Sequence, residues 1–417
     1  MSNQGFTKIR YRHLLSLQGE DVDHGELIVE GGIIKEVSSC PIEPFAGDLI
    51  DLSDCLVLPG FVNAHCHLAL SVLHGKTSKT ARFADWAEAL VRRNAEVSRS
   101  ERLRCLHAGA GDLVQSGVTT LADYLAQPEL IAEYQSLPFR QVVFLEILQL
   151  KHSALAETLA NTNKILEEYR PQRCLTMGLA PHAPYSVSPA LFQSLRRVAD
   201  SQNHPFSCHV AEFPEETRFL KDGGGELREL FQKLNAYDEN WKPPGTSSMR
   251  YLDSLGVLDS MLAVHLNHIE DDVDLLRTRK MSAVFCPRST RWFGRSPTMP
   301  VRRLLDLGIA VGIGTDSLAS NDSLDFFKEL RVAEEMLPEV SRREILDMAT
   351  RGGARALGLR AGAIAPGMPA DLIAFRASRP SSGCWADAVF DPQREKVDFV
   401  MIDGKTVLFE SGRNGTA

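Results

Sequence analysis

The chain has 417 residues, 44% hydrophobic and 24% charged, enough for a large barrel plus a smaller appendage in a globular enzyme. Its formal net charge of -8, with no basic run, gives no reason to expect nucleic acid or an anionic membrane as partner. No run of eighteen apolar residues occurs, and the N-terminal stretch lacks the apolar core of a signal peptide, so the expected setting is cytoplasmic. The eight cysteines are scattered without a C-x-x-C pair, which points to free thiols in a reducing compartment.

The first sixty residues read as β structure. Residues 25–39 (GELIVEGGIIKEVSS) are two short apolar runs around Gly31-Gly32, a hairpin pattern. The chain ends in the same way. GMPADLIAF (367–375) is followed by KVDFVMIDGKTVLFESG (396–412), with Asp403-Gly404 between two β-rich runs. Each end alone is too small to bury a core, so the two are expected to pair.

Between them, short apolar runs alternate with helical patterns, the mark of βα units on a parallel sheet. In chain order the candidate strands are GFVNAHCH, GVTTLAD, RQVVFLEIL, LTMGLAPH, FSCHVAE, LAVHLNH, SAVFCPRS and VGIGTDS. Helical patterns such as residues 102–116 and 190–202 lie between them. An open doubly wound sheet would need a Gly-rich phosphate fingerprint after an early strand, and none is present. The expected fold is therefore α/β: a (β/α)8 TIM-type barrel over residues 60–360, with a small β-sandwich domain built from residues 1–59 plus 361–417.

Two connections exceed a minimal unit. His67 to Gly117 holds an extra helical pattern at 81–97. Glu212 to Leu262 holds DGGGELRELFQKL and Pro243-Pro244-Gly245. Such excursions are usually lids or substrate loops. Within the second, Gly223 to Gly225 read as a hinge or helix start rather than a phosphate loop, because no Lys-Ser/Thr follows.

Polar residues close these strands, at the end where barrels build active sites. The first ends in His65-Cys66-His67. Residues two apart in a strand share a face, so both imidazoles point to the mouth and Cys66 to the helices. The fourth ends in His182, the fifth in His209 and then Glu212, the sixth in His265 and the eighth in Asp316. One buried histidine is ordinarily a hydrogen-bonded core residue. Five at strand ends plus an aspartate would be costly to bury without a role, and a metal satisfies them. Imidazole and carboxylate donors suit zinc, iron or manganese. His74, His107, His152, His204 and His268 show no partner pattern and read as surface or supporting residues.

VLPGFVNAHCH, APHAPYSVSP, CHVAE, VHLNH and GIGTDS resemble, in order, the signatures of the amidohydrolase superfamily, and the resemblance spans nearly the whole chain. It implies that His65, His67, His209 and Asp316 bind the metal. Two-metal members bridge their ions through a modified lysine on the fourth strand. Here His182 occupies that region and APHAPYS has no lysine, so one divalent ion is expected, with zinc ahead of Fe2+ and Mn2+. The H-x-x-E of His209 and Glu212, with His265 on the sixth strand, is similar to the mononuclear deaminase branch. That similarity implies catalytic roles for Glu212, His265 and Asp316. His265 and Asp316 would orient a water, and Glu212 would carry a proton to the ring nitrogen and then to the departing amine. The other zinc deaminase signature, H-x-E with P-C-x-x-C, is absent.

The substrate is expected to be a small molecule. The chain must turn just after His209 to bring Glu212 near the metal, since residues three apart face opposite sides of a strand. Arg288 offers a planar fork for a carboxylate, and Trp292 and Phe293 offer rings for stacking. With Trp86 and the 222–245 excursion, this segment resembles deaminases of aminodeoxyfutalosine, which carries adenine and a benzoate. Deaminases of methylthioadenosine and S-adenosylhomocysteine are the runners-up. A triazine or cyclic-amide hydrolase is the alternative on the same scaffold. Arg288, Trp86, Trp292, His182 and Ser320 are the expected substrate contacts. Each has an ordinary alternative: an ion pair for Arg288, loop packing for the indoles, a structural role for His182 and a loop cap for Ser320. A homo-oligomer is compatible with the sequence.

Overall fold

The computed structural model describes residues 5–80, 82–169, 173–269 and 272–410. The chain opens with four strands, β1 (Thr7–Leu14), β2 (Val22–Glu30), β3 (Ile33–Ser38) and β4 (Asp48–Pro59). Eight more follow: β5 (Phe61–Cys66), β6 (Val118–Leu125), β7 (Arg140–Ile147), β8 (Leu175–Pro181), β9 (Ser207–Val210), β10 (Leu262–His265), β11 (Ser282–Phe285) and β12 (Val311–Ile313). The last three are β13 (Leu372–Arg376), β14 (Phe399–Ile402) and β15 (Lys405–Phe409).

β5 to β12 form one sheet in the order β8-β7-β6-β5-β12-β11-β10-β9. Its pairings are parallel. β8 and β9 close the ring through a parallel bridge between Leu179 and Phe206 and the bond from the His209 N–H to the His182 carbonyl, 2.9 Å. This is the (β/α)8 barrel expected from the alternating pattern, and each candidate strand lies within it. Val62, Tyr124, Val142, Phe144 and Val264 share the inner cluster, whereas Val143, Leu145 and Ile147 join the outer core under the helices.

The terminal strands form a second sheet in the order β15-β14-β13-β4-β1-β2-β3. One face carries Ile9, Tyr11, Leu27, Val57, Leu372 and Phe399 in a core of its own. The other face gives Leu56, Leu58, Ile373 and Val400 to the barrel's core. The sheet folds back on itself, because its two end hairpins touch. A Cβ on Gly404 would lie 2.6 Å from the Gly32 Cα, so neither turn has room for a side chain.

Both long excursions become helices over the C-terminal mouth. The helix Phe83–Ala95 packs on the helix Glu226–Lys233, tied by Arg82 to Glu226 and Glu229 at 3.1 and 2.6 Å, and by Lys233 to Glu88 at 3.1 Å. Gly223 adopts the left-handed conformation (φ +73°) that ends the helix Pro214–Asp222, and Gly225 precedes the next helix.

Candidate active site

At the end of β5 the alternation breaks. Val62 and Ala64 face the barrel interior, which by parity would send His65 outward. A register irregularity between Asn63 and Cys66 against β6 resets the phase. His65 then turns inward, its ring 4.3 Å from that of Tyr124 and 4.9 Å from those of both His67 and His209. Cys66 joins the outer core. Asp123 accepts the Leu68 N–H at 2.6 Å and the Tyr134 hydroxyl at 2.5 Å, fixing the chain just past His67.

Similar breaks set the other side chains. Ala211 (φ +53°), His265 (φ +76°), Leu266 (φ +49°) and Asp316 (φ +58°) all hold left-handed conformations without being glycine. Such strain collects where a fold aims functional groups. At Ala211 it supplies the turn that separates Glu212 from the strand direction of His209.

His65, His67, His209, His265 and Asp316 converge. Ligand atoms of His65, His67 and Asp316 lie within 4.8 Å of one another, as do those of His65, His209 and His265. The His65 and His67 Nε2 atoms are 3.7 and 3.9 Å from Asp316 Oδ1. Burial pushes the imidazolium pKa of His65 down to about 3 and that of His67 to about 4, so both rings are neutral, as ligation requires. Both nitrogens of His65 are buried without a hydrogen-bond partner, an arrangement that a bound cation resolves. The His209 Nδ1 donates to the His182 carbonyl at 2.8 Å, leaving Nε2 free. Asp316 accepts the Ser317 N–H at 2.8 Å and the hydroxyls of Ser289 and Ser320 at 2.5 and 3.1 Å. This donor set fits a divalent metal ion.

Glu212 lies beside the cluster, with Oε1 3.9 Å from His265 Nε2. Burial raises its carboxyl pKa, and the Arg295 guanidinium, 3.0 Å away, opposes the rise. Arg295 is packed over the rings of Phe293, Phe213 and Phe83 at 4.3, 4.9 and 5.6 Å. The Asn267 amide donates to the Glu212 carbonyl at 3.1 Å.

These groups form the floor of a cavity of about 450 Å³. Leu90, Val91, Leu148, Phe231 and Leu234 make its outer wall apolar, while Asn94, Arg102 and Gln127 also line it. Of the expected substrate contacts, Trp86 and His182 line the cavity; Trp86 Nε1 also donates to the Ala319 carbonyl at 3.1 Å. The other three do not line it. Arg288 sits on the helix Pro287–Phe293 and is buried. There it donates to the Ser323 carbonyl at 2.8 Å and pairs with Asp322 and Glu329. These are the partners of a structural ion pair, the alternative the sequence offers for Arg288. Trp292 packs on Trp86 and Phe293, and the Ser320 hydroxyl is committed to Asp316. Reading the sequence alone missed Glu146, Glu216 and Arg295, all of which face the site or the turn beside it.

A closed parallel barrel with imidazoles and an aspartate converging at its mouth defines a metal-dependent hydrolase. The chain belongs to the amidohydrolase family, whose model matches residues 56–407. It is 28% identical over 404 residues to a 5-methylthioadenosine/S-adenosylhomocysteine deaminase of Pyrococcus furiosus, covering 92% of this chain and 91% of the relative. An adenosine deaminase from Xanthomonas campestris, solved with bound zinc, superposes with a TM-score of 0.84 at 25% identity, covering 97% of this chain and 93% of that one. An aminofutalosine deaminase from Helicobacter pylori, in complex with methylthio-coformycin, superposes with a TM-score of 0.82 at 23% identity, covering 96% and 100%. No helix among the described residues is long and apolar enough to cross a membrane.

Proposed function

We propose that this protein hydrolytically deaminates an adenine nucleoside, with aminodeoxyfutalosine the leading substrate and methylthioadenosine or S-adenosylhomocysteine next. The observation that carries this reading is Glu212: a buried carboxyl beside a cation-binding cluster, at the floor of a cavity sized for a nucleoside. The deaminase names among the relatives support it.

We assign His65, His67, His209 and Asp316 to a single divalent ion, with zinc first and iron(II) or manganese(II) after it. When bound, such an ion would supply Lewis acidity that makes hydroxide available near neutral pH. His265 and Asp316 then orient the attacking water. Glu212 gives a proton to the ring nitrogen beside the amino-bearing carbon and makes that carbon electrophilic. It then takes a proton released by the attacking water and passes it to the departing amine, so ammonia leaves, and return of the remaining hydroxyl proton to Glu212 gives the ring carbonyl. Burial makes Glu212 hold its proton more tightly than an exposed glutamate, and Arg295 limits the rise.

The apolar outer wall suits a methylthio group as well as a phenyl ring. Arg102, a residue of the cavity lining whose guanidinium also donates to the Ala69 and Asn94 carbonyls at 3.1 and 3.0 Å, is the arginine we assign to a substrate carboxylate. We further infer a reducing cytoplasmic setting, supported by eight unpaired cysteines. We read the chain as two units, a barrel over 60–360 and a sandwich from 1–59 plus 361–417; the junction of β4 and β5 at Gly60 supports this.

Ammonia release from these nucleosides, with a chlorotriazine and a cyclic amide as comparators, tests the assignment. Turnover of the adenine compounds is expected. Turnover confined to the triazine or the cyclic amide would sink it.

A further inference from the structure

Glu146 ends the inward row of β7, two residues beyond Phe144 and four beyond Val142. The chemistry above makes no use of it. Its side chain is only 7% exposed, and Oε1 is buried with no hydrogen-bond partner. A carboxylate left in that state is costly unless another group completes it.

Two imidazoles face it. Oε2 is 3.9 Å from Nδ1 of His67, and Oε1 is 3.9 Å from Nδ1 of His209. The two nitrogens differ in what else they do. His209 Nδ1 already donates to the His182 carbonyl at 2.8 Å. His67 Nδ1 has no such bond, and its Nε2 faces Asp316 on the opposite side of the ring. When an imidazole binds a cation through one nitrogen, the other carries the proton and needs an acceptor. The Glu146 oxygen that faces His67 Nδ1, Oε2, thus stands about 1 Å beyond N–H···O bonding distance, while the orphaned Oε1 faces a His209 nitrogen already committed elsewhere.

We propose that Glu146 is the positioning carboxylate for His67. It accepts the Nδ1 proton, fixes the tautomer that leaves Nε2 for the cation, and holds the ring plane. A second cation between His67, Glu146 and His209 is disfavoured, because His209 Nδ1 acts as a donor there.

This inference rests on the metal reading of the site, so the test measures metal binding directly. Metal-free wild type, Glu146→Gln and Glu146→Ala are titrated with Zn2+ against a chromophoric chelator, and KM and kcat are measured at saturating Zn2+. Glu146→Ala is expected to bind Zn2+ about 10- to 100-fold more weakly, with KM unchanged and kcat largely restored by excess metal. Glu146→Gln keeps the volume, loses the charge and should fall between; it decides the matter if the alanine variant does not fold. Unchanged Zn2+ affinity with a raised KM would make Glu146 a substrate contact and overturn the proposal. Two Zn2+ per wild-type chain, falling to one in the variants, would overturn it in favour of a second cation site. Wild type that binds no divalent ion would remove the metal reading itself, and this proposal with it.

Discussion

Glu216 holds Glu212 by its backbone. The Glu216 carboxylate accepts the N–H groups of Ala211 and Glu212 at 2.8 and 3.1 Å, and the Ser248 hydroxyl at 2.5 Å. It is fully buried, so the bonds act in a low-dielectric setting. The positive-φ turn that aims Glu212 at the site is thereby tied to the helix Pro214–Asp222.

Glu216→Ala should release that turn. Misplacing a catalytic group by about 1 Å costs on the order of 100-fold in rate. We expect kcat to fall by about that factor while metal content stays near wild type. Elemental analysis and steady-state kinetics on the same preparation check both.

Glu212→Gln retains shape and hydrogen-bonding capacity but cannot cycle a proton. Turnover should drop ~100-fold or more with the metal still bound. Near-normal turnover in this variant would refute the role given to Glu212.

Removing the metal should abolish activity reversibly. Dialysis against a chelator is expected to give inactive, folded protein that Zn2+ restores, with Mn2+ and Fe2+ compared in parallel. His209→Ala should fail to regain either metal or activity. Full metal content in that variant would take His209 out of the ligand set.

The two arginines should separate cleanly. Arg102→Met is expected to weaken a benzoate-bearing nucleoside far more than methylthioadenosine, seen as a change in the ratio of kcat/KM values. Arg288→Ala should leave that ratio alone. It strands the buried Glu329 carboxylate and should destabilise the fold by about 3–5 kcal/mol, read by denaturant unfolding. A selective loss on the benzoate substrate in Arg288→Ala instead would reverse this assignment.

Glu344 gives the fold an acid-sensitive contact. Arg302, at 2.7 Å, and then Ser341 hold its carboxyl pKa at about 2 rather than the usual 4.5. A depressed pKa stabilises the folded state above pH ~4.5, and that stabilisation fades as pH falls toward 2. The pair is partly exposed, so under about 1 kcal/mol is involved. The melting temperature of Glu344→Gln should lie slightly below wild type at pH 7 and converge with it near pH 2.

Much of this architecture is legible in the chain. The barrel strands are short apolar runs that end in histidine or aspartate, and those end residues meet as the spacing implies. His65 turns to the mouth because a register irregularity follows Asn63; alternation counted from Val62 would have turned it outward. Glu146 was hidden inside RQVVFLEIL, where one acid in a strand reads as a solvent-facing residue. Counting parity from Val142 and Phe144 would have turned it inward. Arg295 lies 83 residues from Glu212, and no local pattern links them. Arg288 falls on a proline-initiated helix after β11, where Asp322 and Glu329 pair with it, and neither partner is legible from the local pattern.

The pairing of Leu372 with Pro59 sets an order of events during synthesis. At ~5–20 residues per second, β4 must wait on the ribosome for β13 to emerge, with the whole barrel made in between. Until then β4 presents an unpaired edge to other nascent chains. A message truncated before codon 372 should therefore yield insoluble product, even though every residue we assign to the cation has already been translated.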